Sequence, residues 1–162
     1  MTKVVISVGG SVLVPTLETH RLMEWADALK TLVKAGHQVF AVVGGGGEAR
    51  RYIKVCRYIG LDEASADEFG ILITRINARL LIEALGEYAY PRVSESYLDA
   101  KDFALTGKVV VMGGVTPGQT TDAVAACLAE ETCASMMINM TTIDGIYSAD
   151  PKKDPAAVKY DT

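Results

Sequence analysis

The stretch that most limits the possible folds is residues 109–130, VVVMGGVTPGQTTDAVAACLAE, where an apolar run gives way to a glycine and proline loop and then to a helical pattern. Val109, Val110, Val111 and Met112 have no polar alternate, as a strand buried on both faces requires. Gly113, Gly114, Pro117 and Gly118 stop that strand. Thr121 is placed to cap a helix with Asp122 in its first turn and Val124 and Leu128 at helical spacing. Such a strand, loop and helix aim free backbone N–H groups and a positive helix end at the loop, which suits a phosphate or carboxylate. The hydroxyls of Thr116, Thr120 and Thr121 add donors. Gly113 and Gly118 have P-loop spacing, but Gln119 stands where that motif needs lysine, so the P-loop reading is rejected. Taken alone, the segment is equally an ordinary strand-to-helix turn of an α/β domain.

The rest of the chain repeats the pattern. Residues 3–8 are a short β-branched run closed by Gly9, Gly10 and Ser11. Over residues 17–35, Leu22, Trp25, Ala26, Leu29, Leu32 and Val33 form a helical stripe that reads as core packing and ends at Gly36. Residues 38–43 form a second strand, followed by the glycines 44–47 and then Glu48, Ala49, Arg50 and Arg51. Ordering consecutive glycines is entropically costly, so a fold that does so usually brings that backbone close to something. Arg50, in the first turn of the next predicted helix, then offers a guanidinium fork to phosphate oxygens; the alternative is a loose loop beside a solvated arginine pair.

Ser65 and Glu68 have capping-box spacing and predict a helix over 67–85, with Asp67 at its entrance and Gly86 at its end. Within it, Arg75 and Asn77 are polar residues that face either a cleft or a partner. A strand over 88–93, a short helix over 95–104 and strands at 108–112 and 136–140 follow. The last strand runs into Thr141, Thr142, Tyr147 and Asp150, and the acidic spacing there does not fit an EF-hand.

At 162 residues and 49% hydrophobic content the chain can bury one real core, so a single globular domain is expected. A net charge of -4 without a basic run argues against broad binding to nucleic acid or membrane surfaces, which leaves any anion site to specific residues. Cys56, Cys127 and Cys133 lack zinc or redox spacing and are predicted to be reduced core residues. The segment MTKVVISVGGS shows no signal-peptide pattern, so a cytoplasmic protein is expected.

Alternating strands and helices predict an α/β fold: a three-layer sandwich with a mainly parallel central sheet and ligands at the carboxyl ends of the strands. The sharp loops all fall at such ends and gather along one rim.

With the motifs SVGGSVL, VVGGGGEARRYI, DEFGILITRINARLLIEAL, VMGGVTPGQTTDAVAACLAE and IDGIYSADPKKDP in this order, the chain resembles the amino acid kinase superfamily, and within it the archaeal type of uridylate kinase. The resemblance implies transfer of a phosphoryl group from ATP, with Mg²⁺, to UMP. It also implies a homohexamer, a cytoplasmic location and a role in pyrimidine synthesis. It assigns ATP binding to Ser7, Val8, Gly9, Gly10, Ser11, Gly46, Arg50, Thr141, Thr142, Tyr147 and Asp150, with Arg50 catalytic. It assigns UMP binding to Gly45, Asp67, Val115, Thr116, Pro117, Gly118, Gln119, Thr120 and Thr121. Ser7 stands where many members carry lysine, so charge neutralisation passes to Arg50, Mg²⁺ or another group. Thr142 and Gly47 also depart from the usual pattern. The family continues past the position of Thr162, so a C-terminal part is expected to be missing and sheet edge and apolar surface to be exposed. Two other readings stay open: another acid or phosphate kinase of the superfamily, and a nucleotide- or oxyanion-binding storage or sensor protein resembling the molybdenum storage protein.

Overall fold

In β1 (Lys3–Val8) every residue after Lys3 is buried, and in β2 (Gln38–Val43) all are, as expected of mainly apolar strands without polar alternation. The computed structural model describes residues 1–13, 19–141, 143–149, 151 and 154–160; the expected ATP contacts Thr142 and Asp150 lie outside the described residues. β1 is followed by a short α1 (Gly10–Leu13) and by α2 (Thr19–Lys34). After β2 come α3 (Gly46–Tyr58), α4 (Glu63–Leu85), a 3-10 turn (Gly86–Tyr88), α5 (Tyr97–Ala104), β3 (Val110–Met112), α6 (Thr121–Glu131) and β4 (Met136–Met140).

The four strands pair in the order β3-β2-β1-β4, all parallel, with Lys3 opposite Gln38 and Val4 opposite Met136. Alternate residues feed two cores. Val4, Ile6, Val39 and Ala41 pack with Ala26 and Leu29 of α2 and Leu81 and Leu85 of α4. Val5, Phe40, Val42 and Met112 face Phe103 of α5 and Val124 and Leu128 of α6. Helices therefore cover both faces and the architecture is the expected three-layer α/β sandwich.

Several details differ from the sequence reading. Residues 88–93 make no strand: after the 3-10 turn only the isolated bridges Ala89–Val109 and Ser94–Met112 form, and Pro91 between them has no N–H to give a ladder. α4 begins at Glu63 because Asp62 is its cap, with Oδ1 accepting from the Ser65 N–H at 2.9 Å. Asp67 consequently lies past the first turn. α6 is capped by Thr120, whose Oγ1 accepts from Ala123 N–H at 3.1 Å, and not by Thr121. Cys56 is buried, but Cys127 and Cys133 are exposed because they fall on the outer side of α6 and just beyond its end. β4 is the least covered strand: Met136 is 53% and Met137 38% exposed, and its outer edge is unpaired among the described residues.

Candidate active site

The carboxyl ends of β1 and β2 meet through glycine. Gly44 N–H donates to Val8 O at 2.9 Å, and a Cβ on Gly10 would overlap the backbone of Gly44 and Gly46. Gly46 opens α3 with φ +65°, in the left-handed region that favours glycine. Glycine is thus required here for close approach of two loops, and the sharpest of these features lie at Gly10 and Gly46 rather than along the whole run.

On one side of this junction a cavity of about 240 Å³ is lined by Gly45, Asp67, Thr116, Gln119, Thr120 and Thr121, with Thr74 and Gly114 on its wall. Its loop, residues 113–120, is tied to α4. Asp67 Oδ2 accepts from Gly118 N–H at 2.8 Å, and Thr74 Oγ1 accepts from Gly114 N–H at 2.7 Å while donating to Ile71 O at 2.6 Å. The same helix holds the glycine loop, since Asn77 Nδ2 donates to Gly44 O at 3.0 Å.

On the other side a smaller cavity of about 100 Å³ is lined by Gly9, Ser11, Asp122, Asn139, Met140 and Thr141, together with Val12. Thr121 and Asp122 are neighbours in the first turn of α6 yet line different cavities, so the positive end of that helix stands between the two. Ser7 is buried, and its Oγ donates to Asp122 Oδ1 at 2.7 Å. The residue at the usual lysine position therefore serves to fix a carboxylate. Arg50 is exposed in α3, shortly after the glycine run, and makes no ion pair with a described residue.

Tyr147 lies further along the chain after β4. Its hydroxyl donates to Asp144 Oδ1 at 2.9 Å, and Lys159 Nζ donates to Asp144 Oδ2 at 2.8 Å. The hydrogen bond from Lys159 comes first in holding the Asp144 carboxyl below its ordinary range, followed by that from Tyr147. In turn, the bond to Asp144 raises the Tyr147 hydroxyl and the Lys159 ammonium.

The fold thus gathers Gly45, Asp67, Thr116, Gln119, Thr120 and Thr121 around one cavity and Gly9, Ser11 and Thr141 around the other. Val8 and Gly10 form the junction behind them, and Gly46 packs on Gly10 and Ser11. Val115 instead leans into the core beside α5 and α6, while Pro117 and Gly118 shape the loop without lining the cavity. The sequence reading missed Thr74 and Asp122 as wall residues and left Asn77 undecided. A buried polar residue on an apolar helix was the available signal. A larger cavity, about 530 Å³, opens at the opposite rim beside Lys3, Gln38, Lys101 and Leu105; it has no glycine loop or helix N-terminus, so its size does not make it the reacting centre.

The chain matches the Amino acid kinase family over residues 2–162. It belongs to that family. Among its relatives, the uridylate kinase of Methanocorpusculum labreanum is 74% identical over 99% of this chain and 68% of its own length. The uridylate kinase of Methanoculleus marisnigri is 58% identical over the same shares. The crystal structure of uridylate kinase from Archaeoglobus fulgidus superposes with a TM-score of 0.88 at 48% identity, covering 99% of this chain and 73% of that one. The chain therefore spans about two thirds of the length of the curated relatives it matches.

Proposed function

We propose that this protein is a nucleoside monophosphate kinase that transfers the γ-phosphoryl group of ATP to UMP, giving UDP and ADP for pyrimidine nucleotide biosynthesis. The observation that carries the reading is the pair of cavities flanking the N-terminus of α6 at the carboxyl ends of parallel strands. UMP occupies the larger of these two, with Asp67 and residues 115–121 around it and Gly45 at its base. ATP lies along Ser7 to Ser11 and Gly46 and extends toward Thr141, Thr142, Tyr147 and Asp150.

In the reaction an oxygen of the UMP phosphate attacks Pγ, the new P–O bond forms as the bond to the ADP oxygen breaks, and ADP leaves with the electron pair. That nucleophile is already ionised at neutral pH, so no general base is needed and positioning and charge stabilisation carry the catalysis. Free N–H groups at the starts of α3 and α6 and the guanidinium of Arg50 supply that charge.

Among the described residues no group of three or more His, Cys, Asp and Glu side chains is arranged to hold a metal. The Asp122 carboxylate, with the oxygens of Ser11, Asn139 and Thr141 around the smaller cavity, nevertheless fits Mg²⁺, which takes most of its ligands from phosphate and water. When bound with ATP, Mg²⁺ offsets charge on the β- and γ-phosphate oxygens.

We further propose a homohexamer in the cytoplasm, where both nucleotides are used. Tyr52, Val55 and Ile59 on α3 and the segment after it, with Phe69, Leu72 and Ile76 on α4, are exposed, and an apolar face of this kind supports self-association. The catalytic unit in this reading is larger than one domain over residues 1–162, consistent with the exposed methionines on the open edge of β4. Assaying the full-length protein with ATP against UMP, CMP, AMP, carboxylic acids and inorganic phosphate tests the assignment. UDP is the expected product; preference for a non-nucleotide acceptor, or tight ATP binding without ADP formation, overturns it.

A further inference from the structure

Helix α4 carries a row of inward polar residues on an otherwise apolar, packed element. Asp67, Thr74 and Asn77 are seven and three residues apart, and Gly70, between the first two, lets Ile53 of α3 pack against the helix. These spacings put them on one side, since neighbours on a helix face recur every three to four residues. Thr74 and Asn77 are each only 7% exposed.

Their bonds go to different loops. Asn77 Nδ2 reaches Gly44 O at 3.0 Å, in the turn after β2 that meets the first glycine loop. Thr74 Oγ1 accepts from Gly114 N–H at 2.7 Å, in the turn after β3 that leads to the acceptor cavity. Thr74 is itself fixed by donating to Ile71 O, so its hydroxyl has a defined direction. Three residues of helix separate the two attachment points, a rise of about 4.5 Å along a rigid axis. The turn held by Asn77 joins the ATP-side glycine loop to Gly45 of the UMP cavity, and the loop held by Thr74 lines that cavity, so the two are referenced to one ruler.

We infer that Thr74 and Asn77 are positioning residues that set the spacing between the ATP-side and UMP-side loops, so that either bond is needed for alignment and neither for binding. The inference rests on the kinase reading above. Reacting atoms must stand about 3–3.5 Å apart and in line, and a displacement of about 1 Å costs on the order of 100-fold in rate. Thr74 is on the wall of the acceptor cavity, but its hydroxyl is engaged by backbone on both sides, and Asn77 bonds loop backbone, so both exert that control through the loops.

The test uses the full-length protein with Thr74→Val, Thr74→Ser, Asn77→Leu and the Val/Leu double variant. Thr74→Val keeps the shape and removes the hydroxyl; Thr74→Ser keeps the hydroxyl. For Thr74→Val and Asn77→Leu, kcat is expected to fall about 10- to 100-fold while KM for ATP and UMP each change less than about 3-fold. Thr74→Ser is expected to recover most of kcat. The double variant is expected to lose little more than either single, because both bonds define one distance. A rise in KM for one nucleotide at unchanged kcat, or fully multiplicative losses in the double variant, overturns the inference by making each residue a local loop anchor.

Amide hydrogen exchange gives a readout that does not depend on the reaction. Exchange at Gly114 is expected to speed at least about 10-fold in Thr74→Val and to return toward wild type in Thr74→Ser. Unchanged exchange at Gly114 defeats the inference even if the protein is a uridylate kinase. Normal exchange effects in a protein that makes no UDP place the fault in the kinase reading instead.

Discussion

The two halves of the site are held in different ways. The half around Asp67, Thr116 and Thr121 sits on β2 and β3, strands that are buried throughout, and its loop is tied to α4 by Asp67 and Thr74. The half around Ser11, Asn139 and Thr141 sits between β1 and the half-exposed β4, and beyond it the chain is held by the exposed Asp144 and Lys159 and the half-buried Tyr147. A buried N–H left without its acceptor costs about 1–3 kcal/mol, whereas an exposed ion pair contributes about 0–1 kcal/mol. The acceptor half therefore has a buried tether at Gly114 that is expensive to break, whereas the donor half has the part-buried Ser7–Asp122 bond and, beyond it, bonds that exchange readily with water. Substrate ATP is expected to complete the ordering of its own half.

Breaking the junction that both halves share gives the largest expected effect. Gly10→Ala places a methyl group against the backbone of Gly44 and Gly46, which must move. Displacement of that size is expected to lower kcat on the order of 100-fold or more and also to lower the melting temperature. Wild-type kcat in Gly10→Ala would show that the loops are not in fixed register. Next in size is Arg50→Ala. In the proposed role at the transferring group, loss of the Arg50 charge is expected to cost about 2–4 kcal/mol, read mainly in kcat. A defect confined to KM would make Arg50 an anchor of ground-state ATP.

How much of this was legible in the chain follows the same division. β1, β2 and β4 are mainly apolar runs, broken inside only by Ser7 and Asn139, and their bounds could be read directly. The order of loops along the rim followed from their positions after strands. Residues 88–93 misled because AYPRV has strand composition, while Pro91 and the preceding 3-10 turn leave only single bridges. The start of α4 was misplaced because two capping signals overlap, and Asp62 outcompetes Ser65 for the free N–H groups. What periodicity cannot supply is which loop a buried polar residue reaches. Asn77 stood out as polar on an apolar helix and Thr74 did not, and the partners of both lie more than thirty residues away in sequence, so only the packed fold brings them together.

Asp67 sharpens the contrast between substrates. It accepts a hydrogen bond from Gly118 N–H in the acceptor loop and lines the same cavity, so its second oxygen is available to a ribose hydroxyl in the proposed complex. Asp67→Ala is expected to weaken UMP by about 1.5–3 kcal/mol, the worth of bonds to a charged acceptor, with ATP affinity unchanged. Calorimetric titration of each nucleotide separately decides it. Equal weakening of both, or of neither, removes Asp67 from the acceptor half.

The smallest effect belongs to the donor half and concerns pH. The bonds from Lys159 and Tyr147 depress the folded pKa of Asp144, so this carboxylate stabilises its loop above the unfolded value of about 3.9, and that contribution is lost only as pH falls through the lower folded value. Lys159 and Tyr147 are raised, so their share is present below their unfolded values, near 10, and is lost as pH rises through the higher folded ones. The three groups therefore predict a flat response between about pH 5 and pH 9, with loosening only outside it. Asp144 and Lys159 are solvent-exposed, so Asp144→Asn is expected to change ATP affinity less than about 5-fold. An NMR titration of the Asp144 carboxyl carbon measures the first step directly: its midpoint is expected below the ordinary range and should move up toward it in Lys159→Met. A midpoint that stays put in that variant would mean that Lys159 does not hold Asp144 in solution, and the donor half would then lack even its exposed tether.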